Sequence, residues 1–230
     1  IYSSFYQRAY DQIIHDICLQ NLPVIMCVDR AGVVGRDGET HQGLYDMAFF
    51  KVIPNITIMA PKNFRELEEM MELAVTLNKP VVIRYPRGGE IKINKHKKLE
   101  YGKAEILENG SDISIIAIGK AVSKAIEVSN YLKNDNISSE VINVRFLKPL
   151  DKRIILKSIS KTKKVIVIED GTINGGLCSS IKELIVENNL DVKSKYYAYP
   201  DKFIKHGSVE EIEEKYGLDA KSIYDDTFNL

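Results

Sequence analysis

Residues 29–43, DRAGVVGRDGETHQG, set the guanidinium groups of Arg30 and Arg36 beside the carboxylates of Asp29, Asp37 and Glu39 and the imidazole of His41, with Gly32, Gly35, Gly38 and Gly43 between them. Guanidinium groups bind phosphate and carboxylate in bidentate fashion and stay charged when desolvated. His41 can exchange protons near neutral pH, and Asp37 can orient it. Further along, Arg84 and Arg87 flank Tyr85 and Pro86, and upstream Arg8 follows Tyr2 and Phe5 at one-turn spacing. Arginines gathered from separate elements suit a small dianionic ligand, a phosphate plus a carboxylate. The same arginines could instead close structural ion pairs with Asp29, Asp46 and Glu39, and spacing alone leaves both readings open.

These residues need elements to position them. Ser3 or Ser4 can cap a helix running to about residue 21, and Pro23 opens a short apolar strand over 23–28. A helix is expected near 43–52, a strand at 56–60, a helix after Asn63 and a strand at 80–86. Strand and helix alternating at this rhythm predict a parallel sheet with crossover helices, which brings the arginines to the strand ends, where open α/β folds place their chemistry. Residues 89–110 lose the pattern and read as a linker with short edge strands. The alternation resumes with strands at 113–119, 139–144, 163–169 and 193–199 and helices at 120–133, 151–160, 176–188, 208–216 and 219–227. The fold class is α/β, with a partial unit over 1–88 and a complete small domain over 111–230.

The chain of 230 residues balances 32 basic against 32 acidic side chains, which does not favour nucleic acid or an anionic membrane as partner. Cys18, Cys27 and Cys178 show no C-x-x-C pairing, so buried free thiols, no metal site in this chain, and a soluble cytoplasmic protein are expected. The first residue is Ile, not Met, and the partial first unit reads as a piece of a longer chain. IEDGTINGGLCSS puts glycines between a strand and a helix as a phosphate-cradling turn would, yet matches no dinucleotide or P-loop spacing; a tight packing turn is expected, with Glu169 and Asp170 free to meet another domain or subunit. His206 precedes Ser208 and Glu211, a capping box, and reads as a loop histidine.

The segments IYSSFYQRAYDQIIHD, DRAGVVGRDGETHQG, IPNITIMAPKN and VVIRYPRG, in this order, followed by VRFLKPLD and FIKHGSVEEI, resemble the 1-deoxy-D-xylulose-5-phosphate synthases, thiamine-diphosphate enzymes of the transketolase superfamily. The resemblance covers essentially the whole chain. It implies the latter part of a pyrimidine-binding domain followed by a transketolase-type C-terminal domain, in a homodimer that condenses pyruvate with D-glyceraldehyde 3-phosphate for isoprenoid, thiamine and pyridoxal synthesis. It also implies substrate-binding roles for Tyr2, Arg8, Arg30 and Arg87, contact of Asp37 and His41 with the reacting centre, and Phe5 against the aminopyrimidine of thiamine diphosphate. The family's N-terminal domain, its magnesium motif G-D-G…N and the glutamate that activates the cofactor have no counterpart here, so the chain alone is expected to be inactive and to need that missing domain for thiamine diphosphate and Mg2+. The alternatives are a split transketolase subunit, or a non-catalytic module that dimerises or binds a phosphorylated ligand.

Overall fold

In the computed structural model, which describes residues 1–90, 92–228 and 230, the apolar runs become β1 (Ile25–Val28), β2 (Thr57–Met59) and β3 (Val81–Arg84). β3 lies between β1 and β2, parallel to both, and all four of its residues are buried, which is why it reads as an unbroken apolar run closed by a charge. The crossover helix α3 (Phe64–Thr76) starts where the Asn63 side chain accepts the Glu66 N–H at 3.0 Å, and it buries Met70 and Ala74.

The opening helix departs from expectation. Residues 3–18 form a 3-10 segment (Ser3–Ala9), a short α turn, α1 (Tyr10–Gln12), and a π turn (Ile13–Cys18), and neither Ser3 nor Ser4 caps it. The cause is an early strand-like contact: Tyr2 bridges Asp29, and the Ser3 N–H donates to the Asp29 carbonyl at 2.8 Å, so the backbone is still tied to the end of β1 when the first turn begins.

The second sheet has the order β4-β6-β5-β8-β9. Its inner strands are β5 (Ile113–Ala117), β6 (Ser139–Asn143) and β8 (Lys164–Thr172), and β9 (Lys193–Tyr199) forms one edge. β4 (Glu105–Glu108), inside the stretch expected to be a linker, pairs antiparallel with β6 as an edge strand. Val165 and Val167 join one core with α5 (Lys152–Thr162) and α6 (Leu177–Glu187), and Ile166 and Ile168 join another with α4 (Ala121–Asn134) and α8 (Ala220–Thr227). Helices therefore cover both faces, as the strand period of two requires.

Two features weld the units together. β7 (Phe146–Lys148), not anticipated from the sequence, leaves the second sheet to pair antiparallel with β2; three residues before a proline give too short a pattern to read. The core is also continuous, since Leu177, Cys178, Ile181 and Leu184 of α6 share one cluster with Met47, Phe50 and Ile53 in and after α2 (Asp46–Lys51).

Candidate functional site

The glycine turn after β8 holds a carboxylate of the protein. Glu169 accepts the N–H groups of Leu177 and Cys178 at 2.9 and 2.8 Å, at the first turn of α6, and a Cβ on Gly176 would stand 2.1 Å from its Oε2. The place where a helix would cradle an anion is filled by the chain itself. Burial pushes the Glu169 carboxyl above its ordinary range while the Cys178 and Leu177 amides oppose it. Asp170, the next residue, reaches the first unit.

At the other strand ends the loop takes shape. The backbone of Asp29 is bonded to Ile1, Ala31 to Tyr85, and Gly32 to Gly43 in both directions at 2.7 and 2.8 Å, so the chain start, the end of β1 and the end of β3 lie side by side. Gly43 has no room for a side chain, because a Cβ there would stand 2.2 Å from the Arg30 carbonyl oxygen. Arg30 adopts φ 56, a left-handed conformation that costs a non-glycine residue free energy, and its N–H is held by Asp29 Oδ1 at 2.7 Å.

That turn aims the Arg30 guanidinium at a shared carboxylate. Its Nη1 donates to Asp37 Oδ2 at 2.6 Å, and its carbon lies 4.0 Å above the centre of the Tyr2 ring. Arg87 Nη1 reaches the same carboxylate from β3's end, at 3.2 and 3.4 Å. Tyr2 stacks on Phe5 with centroids 5.5 Å apart, and His41 meets Phe5 edge-on at 5.4 Å. Tyr2, Phe5, Arg30, Asp37, His41 and Arg87 thus form one contiguous patch. One carboxylate stands between two cations, which leaves a net positive charge in a half-open setting.

Arg8, the Asp37–His41 pair and Arg84 take the following places. Arg8 is exposed on the Ser3–Ala9 segment and, among the described residues, makes no hydrogen bond or ion pair with this patch. Asp37 was expected to orient His41, but its carboxylate is taken by Arg30 and Arg87; the neighbour of His41 Nδ1 is Thr40 Oγ1 at 2.9 Å. Two guanidinium groups outcompete one imidazole for a carboxylate, and Thr40 sits one residue away. Arg84 is buried, bonding Asp46 at 2.7 Å and Asp170 at 2.6 Å, so it ties the units together as an ion pair. Burial works against its charge, but Asp170 and Asp46 prevail and hold its pKa above the ordinary value. Burial likewise raises the Asp46 pKa, against the pull of Arg84. Below the patch, burial first, then Cys27 and Tyr85, push the Tyr6 phenol up to about 12, so it stays a donor to the Cys27 carbonyl at 3.2 Å.

Sequence reasoning also missed Gln42, which is buried and bonds across to the second unit. His206, from that unit, lies beside the loop: a Cβ on Gly38 would be 3.6 Å from the His206 Cβ.

The family description "Transketolase, pyrimidine binding domain" matches residues 1–89, and "Transketolase, C-terminal domain" matches residues 102–223. The chain belongs to the transketolase family. Within that family it is similar to the 1-deoxy-D-xylulose-5-phosphate synthases, as the sequence motifs implied: it is 49% identical over 98% of its length to the synthase of Caldanaerobacter subterraneus subsp. tengcongensis and 47% identical over 100% to that of Halothermothrix orenii. This transketolase-family chain spans 36% and 37% of the length of those relatives. A solved split-gene transketolase, described as an inactive β4 tetramer, superposes with a TM-score of 0.91 at 26% identity, covering 99% of this chain and 74% of that one. A mutant transketolase from Pichia stipitis superposes at 0.80 with 17% identity, which speaks for the fold.

The residues present fit one end of a thiamine cofactor. The Phe5 ring is 43% exposed and flanked by Tyr2 and His41, a ready face for an aminopyrimidine. Among the described residues no group of three or more His, Cys, Asp or Glu side chains is placed to hold a metal ion. No helix of the described residues is long and apolar enough to cross a membrane.

Proposed function

We propose that this chain supplies the pyrimidine-binding and C-terminal units of a 1-deoxy-D-xylulose-5-phosphate synthase, a transferase that joins pyruvate to D-glyceraldehyde 3-phosphate with loss of carbon dioxide. The observation that carries the reading is Asp37 shared between Arg30 and Arg87, a site with one positive charge to spare beside an exposed aromatic face.

Thiamine diphosphate, when bound, supplies the nucleophilic carbon and stores the electron pair left by carbon dioxide. The chain's own residues do the rest. Phe5 supports the aminopyrimidine. Arg30 and Arg87 hold the phosphate of the acceptor, and a phosphate entering between them takes over hydrogen bonds that Asp37 now receives. Asp37, once released, and His41 face the reacting carbons. With Thr40 against Nδ1, His41 Nε2 is left to give a proton to the new alkoxide. Tyr2 keeps the Arg30 guanidinium in place, and Arg8 is assigned with Arg30 and Arg87 to substrate binding by its match to the family motif.

The reading includes a homodimer in the cytoplasm, in keeping with Cys18, Cys27 and Cys178 as free thiols. It also includes inactivity of the chain without a domain that carries the diphosphate and Mg2+ site; the solved split-gene transketolase, of which this chain covers 74%, is itself described as an inactive β4 tetramer. In enzyme assembled with that domain, Arg30→Ala should lower kcat/KM for D-glyceraldehyde 3-phosphate by about 100-fold, the value of a lost charge-assisted pair. Unchanged turnover of a folded Arg30→Ala variant sinks the reading, as does carbon dioxide release from pyruvate by the 230-residue chain alone.

A split transketolase subunit is the second reading, favoured by the greater share of the split-gene chain that is covered, 74% against 36% of the synthase. It requires a separate polypeptide co-purifying with this chain and activity on ketose donors in place of pyruvate.

A further inference from the structure

The geometry points to Gln42 as a positioning residue through which the second unit fixes the loop that carries Asp37 and His41. The inference rests on the reading of that loop as the acceptor site.

Gln42 is 3% exposed. Its Oε1 accepts the Val34 N–H at 2.8 Å, and its Nε2 donates to the Lys205 carbonyl at 3.4 Å, across 163 positions of sequence. A side-chain amide offers an acceptor and a donor on one planar group whatever the pH, so Gln42 can satisfy the inward N–H of the loop and grip the far backbone together. Left alone, the Val34 N–H would be a buried orphan.

The contact is prepared on both sides. Gly35, with φ +73, lies so close to residues 205–208 that a Cβ would be 3.0 Å from the Gly207 carbonyl oxygen, and Gly38, with φ +78, packs beside His206. The opposing strap is itself anchored: Ile204 is 2% exposed in the second unit's core, and Ser208 and Glu211 close a capping box at the start of α7 (Val209–Lys215). The loop thus rests on a fixed ledge.

Position makes the clamp consequential. Gln42 follows His41 directly, and Val34 lies three residues before Asp37, so the two ends of the clamp bracket both groups. Arg30 and Arg87, by contrast, are placed by the ends of β1 and β3. Releasing Gln42 should let Asp37 and His41 drift relative to the arginines while leaving the arginines where they are, and a drift of one ångström is enough to cost catalysis.

Gln42→Glu keeps an acceptor for Val34 and removes the donor to Lys205; Ile204→Ala loosens the strap and leaves Gln42 untouched. In the assembled enzyme, both should raise KM for D-glyceraldehyde 3-phosphate by about tenfold with KM for pyruvate within about twofold. Both should also speed amide hydrogen exchange of residues 33–42 by about tenfold, a readout independent of turnover. A merely local role for Gln42 would change exchange in Gln42→Glu alone and leave Ile204→Ala silent at the loop. The clamp is refuted by folded variants with unchanged acceptor KM and loop exchange, or by equal rises in both KM values. Arg30→Ala in the same assay separates the two ideas: if it too leaves the acceptor KM unmoved, the site reading has failed; if it alone raises it, only the clamp has.

Discussion

Two clusters of paired cations and carboxylates do opposite things in this molecule. In the first, Arg30, Asp37 and Arg87 share hydrogen bonds at the strand ends with side chains 21%, 28% and 55% exposed. In the second, Lys62, Glu66, Glu105 and Arg145 lie between the units with at most 2% of any side chain exposed, and Asn143 completes their hydrogen bonds. The buried cluster pairs two cations with two carboxylates, and Arg145 also donates to the Lys97 carbonyl at 2.5 Å. Each charge there is matched, so nothing is left over for a ligand. The open cluster is one carboxylate short, and water screens its imbalance at little cost. Charge balance and burial together, more than residue type, separate an internal strut from a place where an anion can bind.

Removing one partner from each cluster gives the largest contrast. Arg145→Met leaves Glu66 and Glu105 to share the single cation Lys62 in the interior, which should cost about 3–5 kcal/mol in urea unfolding. Arg87→Met, at the open cluster, should change stability by less than about 1 kcal/mol, since exposed pairs contribute little. Its loss should show in the acceptor KM instead. Equal destabilisation by the two variants would break the distinction.

Acid should find the buried cluster next. Burial alone would raise the Glu105 pKa, but the hydrogen bond and charge of Lys62, with Arg145 and Asn143, outweigh it and hold the carboxyl below its ordinary 4.5. A carboxyl with a depressed folded-state pKa contributes stability that is fully present above 4.5 and is lost as pH falls through the depressed value. Glu169 works the other way: its pKa is raised, so its contribution is present below 4.5 and is lost as pH rises through the folded value. Glu105→Gln should therefore be less stable than the parent at neutral pH, yet lose less further stability between about pH 5 and about pH 3. A parallel acid limb in chemical denaturation of the two proteins would remove Glu105 from this account.

The two clusters also differ in how far the sequence discloses them. The open one was legible as a set: Arg30, Asp37, His41 and Arg87 stand at strand ends, and apolar runs such as 25–28 and 81–84 announce those strands through burial alone. Who pairs with whom was not legible. Asp37 chose two arginines over His41, because pairing depends on where the 3-10 turn Gly35–Asp37 points the carboxylate, and that turn is set by contacts with residues 205–208 far along the chain. The buried cluster stayed hidden for a related reason. Lys62, Glu66, Glu105 and Arg145 are spread over more than 80 positions, and each alone reads as a surface charge. β7, the strand that brings Arg145 to Glu66, is too short to show a period.

Arg30 offers the finest test, because its backbone and its side chain pull in opposite directions. At φ 56 a non-glycine residue gives up about 1–2 kcal/mol that glycine would not. Against this stand the Asp37 pair, about 21% exposed on the arginine side, and the contact with Tyr2, together worth roughly 1–2 kcal/mol at a half-open site. Arg30→Gly should accordingly leave the unfolding free energy within about 1 kcal/mol of the parent, whereas Arg30→Ala, which loses the pair and keeps the strain, should be the less stable of the two. Both should lose acceptor binding alike. Glycine matching arginine in stability while failing with alanine in binding would show that the side chain at this position is kept for the ligand, and that the strained turn is a cost the fold carries to present it.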